Sequence, residues 1–266
     1  CDYRVGYLQQ PEISDHAAIV RVDSDANELA QGTGAHVTVN ASPRAFLSDL
    51  RTICEGFVPP KIDWMADARA RRDAHRKRVL SEKRPDEGCH ALDILEALGK
   101  VMTPDTTLVI DGGNIGQWAH QIITDRYPGH WLTCGSSGVV GYGIAGAMAA
   151  RLLDPDRPVI LLSGDGSSTF TISELESATR QGLKFVMVVA DDESWGITLT
   201  GHERKFGRGI TSELGPIDYV MLARSFGALG VRVDSPEGIE AAVREALDAP
   251  QPTVIHVPIA KGSPAH

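Results

Sequence analysis

Two apolar runs in the middle of the chain end in acidic motifs. Pro158-Val159-Ile160-Leu161-Leu162-Ser163 leads into Gly164-Asp165-Gly166-Ser167, and Phe185-Val186-Met187-Val188-Val189-Ala190 leads into Asp191-Asp192-Glu193-Ser194-Trp195-Gly196. Apolar runs of this length read as buried strands. If they are neighbours in a parallel sheet, both carboxylate sets stand at strand carboxyl ends, where open α/β sheets place ligands. Hard oxygen donors beside glycine-opened backbone suit a metal holding a phosphate. Magnesium takes near-octahedral oxygen ligands, one or two of them carboxylates, with substrate phosphates supplying others. Asp165 and Asp192 would give the carboxylates and Ser194 a backbone carbonyl. Gly166 and Ser167 open the helix that follows, so their amides can meet a diphosphate at a helix amino terminus.

Two plainer readings compete. Asp165 can cap a helix and Asp191-Asp192 can be an ordinary acidic turn. Each motif alone favours that view, and their joint placement after two apolar strands reverses it. The stretch Gly141-Tyr142-Gly143-Ile144-Ala145-Gly146 fits GxGxxG literally, with a strand ending in an acidic residue about 20 residues later. That arrangement would mark a nicotinamide dinucleotide-binding oxidoreductase. The turn from Cys134 to Gly141 is long for it, and Asp191-Asp192 would be left without a task.

The elements that must position these groups alternate from Gly88 onward. His90 opens a helix, Thr107–Asp111 is a strand, and Trp131–Cys134 is another, followed by a small-residue helix over 143–153. The two motif-bearing strands follow, separated by a helix from Ser173 to Arg180. A helix over 218–226, a strand over 230–234, a helix over 236–247 and a closing strand over 253–257 complete the chain. The pattern predicts an α/β fold: a parallel six-stranded sheet with helices on both faces. Residues 88–266 are read as the diphosphate- and metal-binding domain.

Before it, residues 59–87 form a charged linker in which Arg69, Arg71, Arg72, Arg76, Lys77, Arg78, Lys83 and Arg84 are interleaved with Asp67, Asp73 and Glu82. Mixed-sign charge marks a solvated helix rather than a nucleic-acid patch. Residues 1–58 read as an incomplete α/β unit, with strands at Ala17–Asp23 and Val37–Asn40 and a helix from Ser42-Pro43 through Leu50. Two short strands and a helix make a poor core, so this piece must pack on something else.

With 26 basic and 35 acidic residues, for a net charge of -9, the chain offers no electrostatic reason to bind nucleic acid or an anionic membrane. Small molecules and other subunits are the expected partners. No apolar run approaches the ~20 residues of a membrane span. The four cysteines, Cys1, Cys54, Cys89 and Cys134, form no CxxC pair, consistent with inert thiols in a cytoplasmic protein. The chain opens on Cys1 rather than methionine, so residues are expected to precede it in the natural protein.

Taken together, Gly164-Asp165-Gly166-Ser167, Glu174-Leu175 with Ala178 and Arg180, and Asp191-Asp192 resemble the thiamine diphosphate motif, which opens with GDG and closes with an asparagine pair. Asp111-Gly112-Gly113-Asn114 with Trp118, and Gly138-Val139-Val140-Gly141-Tyr142-Gly143, add to the likeness. Over residues 88–259 the chain is similar to the carboxyl-terminal domain of the acetolactate synthase and benzaldehyde lyase group; Ser194-Trp195-Gly196 looks most like benzaldehyde lyase. Asp2–Tyr7 and Ile19–Asp23 are similar to the second half of that group's middle domain. The resemblance implies that an amino-terminal domain and half of the middle domain are absent from this chain.

The resemblance further implies thiamine diphosphate and Mg2+ as cofactors, with Asp165, Asp192 and the carbonyl of Ser194 on the metal. Gly113, Asn114, Gly166 and Ser167 fall where the family contacts diphosphate. Gly138 falls where a carbonyl meets the aminopyrimidine, and Val140 where an apolar side chain bends the cofactor. It implies a carboligase, lyase or decarboxylase acting on 2-keto acids, aldehydes or acyloins, built as a homodimer or homotetramer with sites between subunits. Two departures stand out. Asp191-Asp192 replaces the asparagine pair, adding charge beside a diphosphate, and the activating glutamate, which the family carries in the amino-terminal domain, has no match here. His120 and His202 could serve as acids or bases, but each reads first as an ordinary surface or core histidine, and a non-catalytic cofactor-binding subunit is the remaining alternative.

Overall fold

The computed structural model describes residues 16–30, 35–58, 63–83, 88–123 and 128–262. Asp2–Tyr7, Cys1 and Arg84, which bear on the sequence reading, lie outside the described residues. The chain falls into two compact units, Cys1–Met65 and Ala66–His266.

In the first unit, strands β1 (Val20–Asp23) and β2 (Val37–Asn40) pair in parallel with Val20 opposite Val37. A short helix that sequence reading does not find, α1 (Ala26–Ala30), connects them. Helix α2 (Pro43–Ile53) begins with Pro43, whose missing amide and fixed φ suit a first helical turn. None of the described residues here is buried, so they form no core among themselves.

The charged run forms α3 (Trp64–Leu80), of which only Val79 is buried. The second unit then alternates as α4 (Ala91–Val101), β3 (Thr107–Asp111), α5 (Gly113–Ile122), β4 (His130–Thr133), α6 (Gly143–Leu153), β5 (Val159–Gly164), α7 (Asp165–Thr169) and α8 (Glu174–Arg180). It continues with β6 (Val186–Asp191), α9 (Gly196–Phe206), α10 (Tyr219–Ser225), β7 (Leu229–Arg232), α11 (Pro236–Asp248) and β8 (Thr253–Pro258). Six strands form one parallel sheet in the order β4-β3-β5-β6-β8-β7, as the alternation predicts. No helix among the described residues is long and apolar enough to cross a membrane.

Side-chain alternation along the central strands builds two cores. Ile160 and Leu162 of β5 and Val186 and Val188 of β6 pack with residues of α4, α5 and α11. Val159, Leu161, Met187 and Val189 pack on the other face, with Ile144 of α6, Leu175 of α8 and Tyr219 of α10. Each aliphatic side chain so buried contributes about 1.5–3 kcal/mol, which explains why these strands read as continuous apolar runs.

From β3 the chain first steps to β4 on one side and then to β5 on the other. The turns after β3 and β5 therefore lead away from each other, leaving a crevice at their carboxyl ends. Asp111 and Ser163, the last paired residues, face each other there in register.

Candidate cofactor site

A cavity of about 310 Å³ occupies this crevice. Its walls come from the turns after β3, β5 and β6, which supply Gly113 and Asn114, then Asp165, Gly166 and Ser167, then Asp192 and Ser194. Val140 enters from the loop before α6. Eight of the nine sequence-derived positions thus meet in one place. Gly138 is not among the lining residues; it closes the short turn Gly135–Ser137 with φ of 63° and is exposed. His120 and His202 do not line the cavity either; His202 Nδ1 lies 3.0 Å from the hydroxyl of Ser212.

The two aspartates are tied together through Ser194. Its amide donates to Asp165 Oδ2 at 3.0 Å and its hydroxyl to Asp192 Oδ1 at 2.8 Å. The other Asp165 oxygen accepts the Gly166 amide at 2.8 Å. Burial, with the Asp192 carboxylate adding to it, pushes the Asp165 carboxyl up to about 7. Burial also raises Asp192, against the bonds from Ser194 and Asn114. Carboxyls destabilised in this way are relieved by a cation set between them.

The second member of the acidic pair turns elsewhere. Asp191 Oδ2 lies 2.7 Å from His256 Nε2, and Asp191 Oδ1 accepts the Glu193 amide at 3.0 Å. Burial pushes the Asp191 carboxyl up, but these bonds outweigh it and hold it below the ordinary carboxylate range. Asp192, just past β6, lines the cavity, while Asp191, the last residue of β6, pairs with His256 of β8 and also neighbours the Asp165 carboxyl.

Glycine is required where the walls approach. A Cβ on Gly196 would stand 2.8 Å from Asp192 Oδ2 and 2.9 Å from Asn114 Nδ2, and one on Gly166 would stand 2.8 Å from the Trp195 ring. The glycines of the GxGxxG stretch are likewise packing positions, since a Cβ on Gly143 would lie 2.5 Å from Asp111 Cβ and one on Gly141 2.4 Å from Phe170 Cβ. Asp111 holds that loop by accepting the Gly141 amide at 2.8 Å and the Ser163 hydroxyl at 3.2 Å, and so sets the place of Val140.

The residues fit a metal-held diphosphate. Asn114 Oδ1 is buried with no partner among the described residues, so a ligand's donor or a metal-bound water can reach it. Asn114 Nδ2 donates to the Gly262 carbonyl at 2.5 Å. Among the described residues no three His, Cys, Asp or Glu side chains gather to hold a metal alone. A cation between Asp165 and Asp192 would draw its remaining ligands from backbone and from the bound phosphate, which is how magnesium is usually held. Sequence reading missed the apolar wall of Trp195, Ile197 and Ile259. Trp195 packs edge-on against Phe170, centroids 5.9 Å apart, a contact that no local pattern signals.

A parallel sheet with glycine-opened turns and paired carboxylates at its switch point defines an α/β domain suited to a metal-held phosphate ligand. Residues 111–257, more than half of the chain, match the family described as thiamine pyrophosphate enzyme, C-terminal TPP binding domain. The chain belongs to this family, and its relatives put it with the acetolactate synthase group. It is 27% identical to the acetolactate synthase isozyme 2 large subunit of Escherichia coli over 92% of this chain and 43% of that protein. It is 30% identical to a probable acetolactate synthase of Mycobacterium bovis over 70% of this chain and 34% of that protein. With the acetolactate synthase of Bacillus subtilis it shares 29% identity over 64% of this chain and 30% of that protein. The chain spans less than half the length of these relatives.

Proposed function

We propose that this chain is the cofactor-anchoring part of a thiamine diphosphate- and magnesium-dependent enzyme that makes or breaks a carbon-carbon bond next to a carbonyl. Its substrates are 2-keto acids, aldehydes or acyloins, and its setting is the cytoplasm. The observation that carries this reading is the pairing of Asp165 and Asp192 through Ser194 at the switch point, beside glycine-opened backbone. Thiamine diphosphate, when bound, supplies the carbanion stabilisation such reactions need. The protein's part is to fix the metal through Asp165, Asp192 and the Ser194 carbonyl, and to meet the diphosphate with Gly113, Asn114, Gly166 and Ser167. Val140 and Gly138 are assigned to the organic half of the cofactor.

Residues 1–58 are read as the second half of a middle domain and 59–87 as the linker. The activating glutamate belongs to an amino-terminal domain or a second subunit in a homodimer or homotetramer. Calorimetric titration of the chain with thiamine diphosphate should show binding that depends on magnesium. Binding that ignores the metal, or dinucleotide binding in its place, would overturn the proposal. The chain alone should leave pyruvate and benzoin unchanged, and adding the amino-terminal part of a relative should restore turnover.

A further inference from the structure

Of the two aspartates that end β6, Asp191 is the one that the cofactor reading leaves without a task. It is 7% exposed, stands beside the Asp165 carboxyl, and has one donor facing each of its carboxylate oxygens. Oδ2 faces His256 Nε2 at 2.7 Å, across the sheet on β8. Oδ1 accepts the amide of Glu193 at 3.0 Å.

Glu193 stands between the two residues assigned to the metal and has φ of 49°. That left-handed conformation is unfavourable for a residue with a Cβ, so something must hold it. The Asp191 carboxylate holds the Glu193 amide and the Leu214 amide holds its carbonyl, at 2.9 Å, and in the turn so closed the Ser194 amide and hydroxyl reach Asp165 and Asp192.

His256 is itself 2% exposed and lies edge-on to the Tyr219 ring, centroids 5.1 Å apart. The Tyr219 hydroxyl donates to the Asp165 carbonyl at 3.0 Å. The ends of β5 and β6, each carrying one of the paired aspartates, are therefore joined beneath the cavity by side chains from β8 and α10.

We propose that His256, acting through Asp191 with Tyr219 beside it, is a positioning residue that fixes the 191–194 turn for the metal and diphosphate. The pair also accounts for an aspartate standing where the resembled family has asparagine, because His256 supplies the partner that a buried carboxylate needs. This rests on the cofactor reading above.

Removing His256 leaves Asp191 buried with one donor, and such a carboxylate moves toward water or another donor rather than stay unpaired. The Glu193 turn would move with it. An asparagine at 191 keeps an acceptor for the Glu193 amide and carries no charge in need of a partner.

The test is a double-mutant cycle of His256→Leu and Asp191→Asn in the full chain, read by magnesium-dependent thiamine diphosphate titration and by melting without ligand. His256→Leu should weaken cofactor binding about tenfold or more, the size typical of lost partners around metal ligands. Adding Asp191→Asn should bring affinity back to within about threefold of Asp191→Asn alone. An unchanged affinity in His256→Leu, or the same loss in both backgrounds, would overturn the proposal. Should His256→Leu fail to fold, His256→Gln keeps a donor at the Nε2 position and should hold affinity near that of the unsubstituted chain; a loss there counts against the pair. If the unsubstituted chain binds no cofactor, the functional proposal fails on its own, and the melting cycle decides this one: coupled losses support the pair and additive losses reject it.

Discussion

Replacing Asp192 with asparagine removes a negative charge from the cavity and keeps an oxygen that can ligate magnesium. Burial already raises the Asp192 carboxyl, so the charged form is held there at a cost. Asp192→Asn should retain or tighten magnesium-dependent cofactor binding by titration, and complete loss would show that the carboxylate itself is needed. Gly196→Ala tests the opposite limit, because its Cβ would enter the 2.8 Å gap to Asp192 and push against Asn114. Affinity should fall about tenfold or more while the melting temperature drops only slightly, since the clash displaces side chains rather than the sheet. That Asp165 and Asp192 meet at one cavity could be anticipated from the sequence, because each stands directly after a buried apolar strand and neighbouring parallel strands bring their carboxyl ends together. The partner of Asp191 could not, since 65 residues separate it from His256 and only strand pairing brings them together. Nothing local marks the lining role of Trp195 either.

At the scale of elements, β3, β5, β6 and β8 were legible because burial on both faces makes them apolar runs, while the mostly exposed edge strands β4 and β7 were legible only from the alternation of strand and helix. Helices α5 and α9 were not, for a physical reason. Both begin on glycines, which disfavour helix by about 1 kcal/mol, yet Gly196 is demanded by the close walls of the cavity and Gly113 by its φ of 74°. The turn after β3 also carries an element-level device, the Asp111 carboxylate that ties the Val140 loop to the sheet. Burial pushes this carboxyl from 3.8 up to about 6. The folded protein thus holds that proton more tightly than the unfolded chain, and Asp111 lowers stability progressively as pH rises from about 4 to about 6. Asp111→Asn should remove that contribution, so the change in melting temperature across this window should differ from that of the unsubstituted chain in favour of the variant at the upper end. Parallel curves would show that Asp111 does not titrate there.

At the scale of the whole molecule, the two units differ in kind. The first has paired strands and no buried residue among those described, as its few short elements led one to expect, while the second encloses two cores around a complete sheet. The charged composition of α3 also told in advance that it would be solvated along most of its length. What no pattern in the chain could supply is the strand order, because the reversal between β3 and β5 depends on which helices cover which face. That order has a consequence for how the molecule opens. β3, β5 and β6 are all interior strands, flanked on both sides by others. Loss of the cavity therefore requires separating the middle of the sheet, and local fraying at β4 or β7 leaves it intact. In hydrogen exchange, the amides of Leu161, Leu162, Val188 and Val189 should exchange only through global unfolding, while those of β1 and β2 exchange far faster. A cofactor bound in the cavity should slow the first group in proportion to its affinity and leave β1 and β2 unaltered.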